Sequence, residues 1–401
     1  MVFALAETGL PRYTGSSHEN PTLICPAARC SLAARKKSLS TDLCWKTKQA
    51  RCAKDFGRSP LFSLFAHFSD FSAKPPLGRP EGYTGMMTKS PKVDLVGVGL
   101  NATDTLIALT NYPARGSKVE YDSARILPGG QVATAVVACQ HWGMSTRYVG
   151  ILGDDSPATL HREAFAAAGV EAQLVTVSGG TSPQSLILVD GGGERTVLCR
   201  RDPRVALKPG DLDPEWIVNA RALHVDGYDT AAATTAAGWA SAAGIPVIAD
   251  LDELYPGVEK LLENVDYLIV SRDIPGRLMG ESDLEMALRQ MQRRYGCRLA
   301  AATLGEHGVL AWNGKQLHHA CAYSVPVVDT TGAGDIFHAG FIYGLLQDWP
   351  LERQLDFGCA AAALNCAAVG ARGGIQAVRD IQHLMATGAR HQTAECTTSS
   401  D

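Results

Sequence analysis

From residue 222 onward the chain alternates between short apolar runs and longer Ala- or Leu-rich stretches, and this alternation constrains the fold more than any other feature. The short runs are typical of buried strands, and the stretches between them are typical of helices. The predicted strands are Ala222–Val225, Pro246–Asp250, Tyr267–Val270 and Leu299–Leu304, and the predicted helices are Ala231–Ala243, Val258–Leu262, Leu284–Tyr295 and Ile336–Leu346. Strands separated by helices build βαβ units, so the pattern predicts an α/β fold around a mainly parallel sheet.

The part before residue 222 contains strand-like runs that do not fit this alternation. Val93–Gly99 predicts a buried strand, and Gln131–His141 predicts a helix. The runs Tyr121–Leu127, Ser185–Val189 and Arg195–Arg200 resemble hairpin strands instead. We therefore predict a small antiparallel β appendage made of two insertions, at about residues 112–130 and 184–201.

Charge divides the chain into two unlike parts. Residues 1–90 carry 13 Lys and Arg against 6 Asp and Glu, whereas residues 91–401 carry 24 against 35. An acidic body of this kind argues against nucleic acid as the main partner. Residues 1–90 show no sustained period, and we expect a disordered extension or sequence upstream of a true start at Met86 or Met87. Residues 381–401 are expected to form a C-terminal tail.

Cysteine use and hydropathy exclude several further classes. The 11 cysteines include no C-x-x-C pair, which argues against a zinc ribbon or a thioredoxin-like site. Cys139, Cys359 and Cys366 lie in Ala-rich stretches and are expected to be buried thiols, as in a reducing compartment. No apolar run reaches the length of a membrane span, and no secretory signal is recognisable. These features predict a cytoplasmic protein without a membrane partner.

Two glycine motifs compete as sites for a bound phosphate. Gly97–Ala102 reads G-x-G-x-x-A after a strand, as in a dinucleotide-binding turn. That turn must open a helix, but Thr103–Thr110 is rich in Thr and looks extended. A nicotinamide cofactor is therefore the weaker alternative.

The second motif is Asp329-Thr330-Thr331-Gly332-Ala333-Gly334-Asp335, which leads directly into an apolar helix. Amide groups at a helix start form an anion site, which the helix dipole strengthens. A carboxylate in the first turn stays ionised there and can accept a proton from a hydroxyl. Phosphoryl transfer to an alcohol needs this combination. The alternative is an ordinary helix start with Asp335 in its favoured first turn.

At this motif the chain resembles the PfkB/ribokinase family of carbohydrate and nucleoside kinases. Residues 329–335 look like the family's C-terminal signature, and Pro128–Ala135 with Gly150–Asp155 resembles its N-terminal signature. The two blocks occur in the expected order, and the resemblance runs from about Val93 to Val378. It implies a ribokinase-like three-layer sandwich over residues 91–380, in which the β appendage forms a lid over the sugar.

The resemblance also assigns roles to individual residues. Asp335 would be the catalytic base, and Gly332, Ala333 and Gly334 would form the anion hole. The acceptor would be bound by Asp104, Gly129, Gly130, Gln131, Thr134 and Asp335. ATP would be bound by Thr303, Gly305, Gly308, Thr331, Gly332, Gly334 and Asn365. Asp329, Thr331 and Gly373 resemble loops that hold a monovalent cation such as K⁺ in many members, and Asp273 would hold Mg²⁺ indirectly.

Some positions depart from the family pattern and leave the acceptor open. Family members often carry Asn where this chain has Gln131 and Thr134, and those Asn side chains contact the sugar. Ser271-Arg272-Asp273 is similar to the ketohexokinase-like branch instead. Arg195 is a candidate phosphate contact or an ordinary solvated strand-end residue, and Asp226 is a candidate cleft residue.

The sequence thus predicts an ATP- and Mg²⁺-dependent kinase acting on a primary hydroxyl of a small sugar. A nucleoside kinase and a sugar-phosphate kinase of the same fold remain alternatives. The latter needs extra cations in the sugar site, and residues 101–134 offer only Arg115, Lys118 and Arg125. A sugar-binding relative without catalysis is the third alternative. The resemblance further implies a homodimer that pairs through the lid.

Overall fold

The computed structural model describes residues 92–190 and 195–391 of the chain. The predicted N-terminal extension and the last ten residues of the predicted tail lie outside the described residues. Within the described part, nine strands form one large sheet and four form a second, smaller sheet. The α/β architecture predicted from the alternating pattern is confirmed.

The large sheet is parallel over most of its width. Its strand order is β13-β12-β11-β10-β9-β8-β1-β4-β5, and only the β11–β12 and β12–β13 pairs are antiparallel. The strands are β1 (Val93–Val98), β4 (Thr146–Leu152), β5 (Glu171–Thr176), β8 (Ala220–Asp226), β9 (Val247–Leu251), β10 (Tyr267–Ser271), β11 (Leu299–Thr303), β12 (Val309–Trp312) and β13 (Leu317–Ala320). Since the strands from β11 to β5 are parallel, β1 and β8 to β11 end at one common edge, where open α/β sheets bind ligands.

Helices cover both faces of the large sheet. They are α1 (Gln131–His141), α2 (Ser156–Ala168), α3 (Pro214–Val218), α4 (Thr230–Ala242), α5 (Val258–Leu262), α6 (Ile274–Met279), α7 (Leu284–Tyr295), α8 (Ala333–Leu346), α9 (Leu351–Asn365) and α10 (Val378–Thr387). Buried residues of α4, α5 and α7 pack on one face, and those of α1, α8 and α9 pack on the other. Both faces of the parallel strands are therefore buried, which explains their nearly continuous apolar sequence.

The smaller sheet differs from the predicted antiparallel appendage. Its order is β3-β2-β6-β7, built from β2 (Ala102–Ala108), β3 (Ser123–Gly129), β6 (Gln184–Val189) and β7 (Arg195–Arg200). The central β2–β6 pair is parallel, because the chain between these strands crosses the large sheet through β4 and β5. The extended Thr103–Thr110 segment thus supplies β2. Apolar side chains remain exposed on this sheet, and Ile126 is 65% exposed.

The C-terminal boundary also differs from the sequence prediction. Helix α10 continues from Val378 to Thr387, past the predicted start of the tail at residue 381, and Ile381 is buried. Beyond the helix, Arg390 donates hydrogen bonds to the Cys321 carbonyl (2.8 Å) and to Asp356 (2.6 Å). The ordered fold therefore extends at least to His391. Among the described residues, no helix is both long and apolar enough to cross a membrane.

Candidate active site

The start of α8 has the geometry of an anion site. Gly332 caps the helix with a φ of 75°, and a Cβ there would lie 2.6 Å from the Ala371 backbone, so only glycine fits. A Cβ at Gly334 would meet no atom within 4 Å, so the first turn faces open space. The amides of a first turn have no acceptor within their own helix. The Ala333 amide already donates to the Thr330 carbonyl (3.3 Å), and the remaining amides of the turn can donate to a phosphate that approaches α8 from this side.

Asp335 lies in the first turn of α8, beside this open space. Burial, together with the Asp104 and Asp252 carboxylates, raises its pKa to about 6, whereas His338 and Arg372 oppose the rise. Its side chain is only partly covered. The carboxyl is thus ionised at neutral pH but remains basic enough to accept a proton.

Asp104 reaches the same region from strand β2 of the small sheet. It is buried, and a Cβ on Gly129 would overlap its Oδ2 atom, so glycine is required at the end of β3. Burial raises the pKa of Asp104 to about 6, although a hydrogen bond from Ser185 and the charges of Arg372 and Arg195 act in the opposite direction. Gly130 adopts a φ of 92° at the start of α1, where a side chain would collide with Asn101. Asp104, Gly129 and Gly130 are therefore brought together as the sequence predicted.

A second group of polar residues lies close to Asp335, and of its members only Gln131 was placed in the site by the sequence. Asp250, at the end of β9, is buried, and its pKa is raised well above the usual range by burial and by Asp335 and Asp252. Gln131, at the start of α1, hydrogen-bonds to both Asp250 and Asp252. His338 Nδ1 lies 2.8 Å from the Gly334 carbonyl and 3.4 Å from Asp250. These contacts hold the first turn of α8 against the sheet edge.

Asp329 joins the two loops that surround the anion site. Its carboxylate accepts hydrogen bonds from the Thr331 amide (2.9 Å) and the Gly370 amide (2.7 Å). The Thr331 hydroxyl is buried and has no hydrogen-bond partner among the described residues. An oxygen with free lone pairs in this position fits a bound cation or a phosphate ligand. Gly373 lies in the same loop, where its amide donates to the Gly370 carbonyl (3.3 Å).

Asn365 is buried at the end of α9 and connects these loops through its side-chain amide. Its Nδ2 donates to the carbonyls of Thr331 (3.2 Å) and Ala371 (3.1 Å), and its Oδ1 accepts from Gly374 (3.1 Å). Asn365 therefore positions the backbone around the anion site. Its role in binding adenine stays a prediction.

The predicted nucleotide loop lies at the same sheet edge. Thr303 ends β11, directly beside Ser271 at the end of β10, and Gly305–His307 forms a tight turn after it. Gly308 approaches the Ala320 carbonyl so closely that a Cβ would overlap it. Asp273 follows β10 and forms an ion pair with Arg277 at 2.9 Å. Asp273 is therefore engaged by a cation of the chain itself, and its indirect contact with Mg²⁺ stays a prediction.

The other glycine motif has a packing role. Side chains at Gly97 and Gly99 would collide with Val132 and Val136 of α1 and with the Asp226 carboxyl, respectively. The chain continues from this motif into β2 and not into a helix. Asp226 is buried, accepts the Leu100 amide at 2.7 Å, and has a pKa raised to about 8 by burial. The motif therefore lacks the helix start that a dinucleotide pyrophosphate needs.

Arg372 belongs to the loop that resembles a cation-binding loop in sequence, but its contacts with the predicted acceptor segments were not predicted. Its Nε donates to Thr134 Oγ1 (3.2 Å), and its Nη2 donates to the Gly129 carbonyl (2.9 Å). Burial lowers the pKa of Arg372 to about 10, and Asp335 and Asp104 oppose this change. The guanidinium thus brings a positive charge into the predicted acceptor site from a loop more than 230 residues away in sequence.

Comparison with known proteins decides the family. Residues 87–377 match the pattern described as pfkB family carbohydrate kinase. The chain belongs to this family. It is a carbohydrate kinase, and residues 1–86 lie outside the matched region.

Individual relatives agree with this membership. The ATP-dependent ribose-1-phosphate kinase of Halopiger xanaduensis is 29% identical over 278 residues, covering 67% of this chain and 90% of the relative. The crystal structure of a putative ribokinase from Agrobacterium tumefaciens superposes with a TM-score of 0.68 at 26% identity, covering 73% of this chain and 97% of that one. The structure of Arabidopsis thaliana ribokinase complexed with ribose and ATP gives 0.65 at 23% identity, covering 75% and 100%. The ribokinase-like fold predicted from the two signatures is confirmed.

Proposed function

We propose that this ATP-dependent carbohydrate kinase phosphorylates a primary hydroxyl of a small sugar, with Asp335 as the base. The observation that carries the proposal is the position of Asp335. It lies one residue beyond Gly334, whose face of the helix is open, and it interacts electrostatically with Asp104 of the predicted sugar site. An acceptor hydroxyl held between Asp104 and Asp335 would face a phosphoryl group at the helix start.

In this mechanism the chain contributes positioning and charge stabilisation. The carboxylate of Asp335 accepts the proton of the acceptor hydroxyl while the hydroxyl oxygen attacks the terminal phosphorus of ATP. The bond from that phosphorus to the ADP oxygen breaks, and the electron pair leaves with ADP. Amides of Gly332, Ala333 and Gly334 stabilise the charge on the transferring group. The lid strands cover the acceptor, exclude water and limit hydrolysis of ATP.

Metal ions would reduce the negative charge of the phosphates in this site. Mg²⁺ bound to ATP supplies charge neutralisation between the phosphates, with Asp273 acting at most through water. The free Thr331 hydroxyl and the loop of Gly373 are the chain's candidates for holding a monovalent cation such as K⁺. Asp329 supports this site by fixing both loops, because its oxygens already accept amide hydrogen bonds.

A sugar-phosphate kinase is a second candidate that one observation favours. Such an enzyme needs additional cations near the sugar, and Arg372 and Arg195 both interact electrostatically with Asp104. The Halopiger xanaduensis relative is named for a phosphorylated acceptor. No corresponding observation favours a nucleoside acceptor.

An ADP-release assay over a matched panel tests the proposal. The panel contains free pentoses and hexoses, their phosphates, and purine nucleosides, each with MgATP and with or without K⁺. Turnover that needs a free sugar supports the proposal, and turnover confined to sugar phosphates or nucleosides selects one of the alternatives. ATP turnover that no acceptor stimulates, together with sugar binding seen by calorimetry, would identify a binding protein and refute it.

Two further properties remain proposals. Exposed apolar side chains of the small sheet, among them Ile126, Val197 and Leu198, are consistent with a homodimer that pairs through the lid. Light scattering of the purified chain tests this pairing. Buried thiols at Cys139, Cys359 and Cys366 suit a cytoplasmic location, which imaging of a tagged full-length chain would test.

A further inference from the structure

The loop between α9 and α10 connects the acceptor side of the site to the phosphoryl side. On the acceptor side, Arg372 donates to the Gly129 carbonyl at the end of β3 and to the Thr134 hydroxyl in α1. These two segments are the ones predicted to contact the sugar. The third nitrogen of the guanidinium, Nη1, forms no hydrogen bond within the described residues, so it remains available to a ligand.

On the phosphoryl side, the same loop packs directly against the start of α8. Ala371 lies against Gly332, so closely that a side chain there is excluded. The Gly370 amide donates to Asp329, and the Ala371 carbonyl accepts from Asn365, which also holds the Thr331 carbonyl. The residues just before Arg372 are therefore tied to the backbone that carries the anion site, through hydrogen bonds to Asp329 and Asn365.

The positive charge of Arg372 is balanced by nearby carboxylates of the site and not by a direct ion pair. Within the described residues Arg372 forms no salt bridge, yet it interacts electrostatically with Asp104 and Asp335. Its side chain also borders an open pocket of about 210 Å³ between Leu127–Pro128 and Val369–Gly373. The guanidinium is partly covered, and its two hydrogen bonds and the nearby carboxylates of Asp104 and Asp335 offset the cost of removing it from water.

We propose that Arg372 is a positioning residue that sets the distance between the bound sugar and the anion site. This inference rests on the proposed sugar-kinase function and adds a residue to it. Phosphoryl transfer needs the attacking oxygen in line with the phosphorus at close range, and displacement by about 1 Å can cost about 100-fold in rate. Arg372 supplies that constraint, because its side chain bonds to Gly129 and Thr134 while the adjacent Ala371 backbone lies against Gly332 at the start of α8.

Three variants test the inference with steady-state kinetics. Arg372→Gln removes the charge and the fork of donors, Arg372→Lys keeps the charge alone, and Arg379→Gln is the control. Arg379 also loses a charge on substitution, but its side chain is 87% exposed on α10 and pairs only with the neighbouring Asp380. The measured quantities are kcat, the KM for sugar, the KM for ATP and the melting temperature of each full-length variant.

We expect Arg372→Gln to lower kcat/KM for the sugar about 100-fold, with a rise in sugar KM, because both hydrogen bonds to the acceptor segment are lost. The KM for ATP should change less than about threefold, since the anion site remains built by backbone amides. Arg372→Lys should recover part of the loss, and Arg379→Gln should match the unaltered chain.

A second variant tests the same contact if Arg372→Gln folds poorly. Thr134→Val removes only the hydroxyl that accepts from Nε. It should raise the sugar KM by about three- to tenfold, and the double variant should be no worse than Arg372→Gln alone, since the two residues share one contact.

Several results would overturn the inference while leaving the kinase function intact. These are an unchanged sugar KM in Arg372→Gln, equal increases in the KM values for sugar and ATP, or a loss seen only with phosphorylated sugars. The last result would make Arg372 a direct phosphate ligand. If the unaltered chain phosphorylates no sugar, the proposed function itself fails, and the role of Arg372 fails with it.

Discussion

Replacing Asp335 with Asn is the most direct test of the proposed chemistry. The substitution keeps the size of the side chain and removes only its capacity to accept a proton. General bases contribute about 10²- to 10⁴-fold to such reactions, so kcat should fall by about that factor. The KM for ATP should change little, because the amides of the anion site belong to the backbone of Gly332–Gly334.

The same substitution should not destabilise the fold. Burial and neighbouring carboxylates raise the pKa of Asp335 from 3.8 to about 6, so ionised Asp335 is disfavoured in the folded chain. The stability contributed by the protonated form is fully present below pH 3.8 and is lost as the pH rises through about 6. At neutral pH a neutral Asn avoids this cost, which is on the order of 3 kcal/mol for a shift of this size. The melting temperature of Asp335→Asn should therefore equal or exceed that of the unaltered chain.

The assay compares kcat, KM and melting temperature for the unaltered chain, Asp335→Asn and Asp348→Asn. Asp348 is a matched control, because it follows the other end of α8, is exposed, and has a φ of 55° that Asn tolerates. In the unaltered chain, kcat/KM should be half-maximal near pH 6, the pKa of Asp335, and about a tenth of maximal at pH 5. Turnover of Asp335→Asn within about tenfold of normal would refute the role of Asp335 as base.

Three further predictions follow from the same site. Gly334→Ala should keep or raise the melting temperature, since its Cβ meets no atom within 4 Å and Ala favours helices. The same methyl group should lower kcat about tenfold or more, because it narrows the anion site; thermal melts and initial rates check both effects, and unchanged kcat would contradict the prediction. Because the pKa of Asp226 is raised to about 8, the melting temperature of Asp226→Asn minus that of the unaltered chain should increase between pH 4 and pH 8 and stay level above pH 8. A difference that does not change with pH would contradict this. Removing residues 1–85 should leave kcat/KM within about twofold, since the family match begins at residue 87; loss of soluble, active protein would contradict this.

Local sequence patterns predicted the strands and helices that follow from the preferences of neighbouring residues. The alternation between residues 222 and 304 placed β8 to β11 and the helices α4, α5 and α7 within a few residues, but it missed the short helix α6. The β12–β13 hairpin at the sheet edge was not predicted, because its strands are only four residues long. The parallel β2–β6 pair was also missed, since strand direction depends on a crossover that local composition does not reveal.

Dependence on long-range contacts also limited what could be predicted about the site. Asp335 and the glycines before it form a contiguous motif, so their shared role could be inferred from adjacent residues. Arg372, His338 and Asp250 act through contacts with distant segments, and Arg372 lies 238 residues from Thr134. A signal was present in the sequence, since Arg372 is a charged residue within the glycine-rich Gly370–Gly374 loop. Which side of the site the guanidinium would reach could not be read without the fold.

The raised pKa values of several carboxyls have opposite effects on activity and on stability. Asp104 and Asp335 each have a pKa raised to about 6, and those of Asp226 and Asp250 are also raised, in every case mainly by burial. Protonation at these positions therefore stabilises the fold, so stability should decline from about pH 4 towards neutral pH. Catalysis needs Asp335 ionised, so activity should increase over the upper part of that range.

Because Arg372 favours the ionised forms of Asp104 and Asp335, its removal should make the decline in stability steeper. Melting curves of Arg372→Gln and the unaltered chain between pH 4 and 8 would show this, and parallel curves would mean that the charge of Arg372 does not reach these carboxyls.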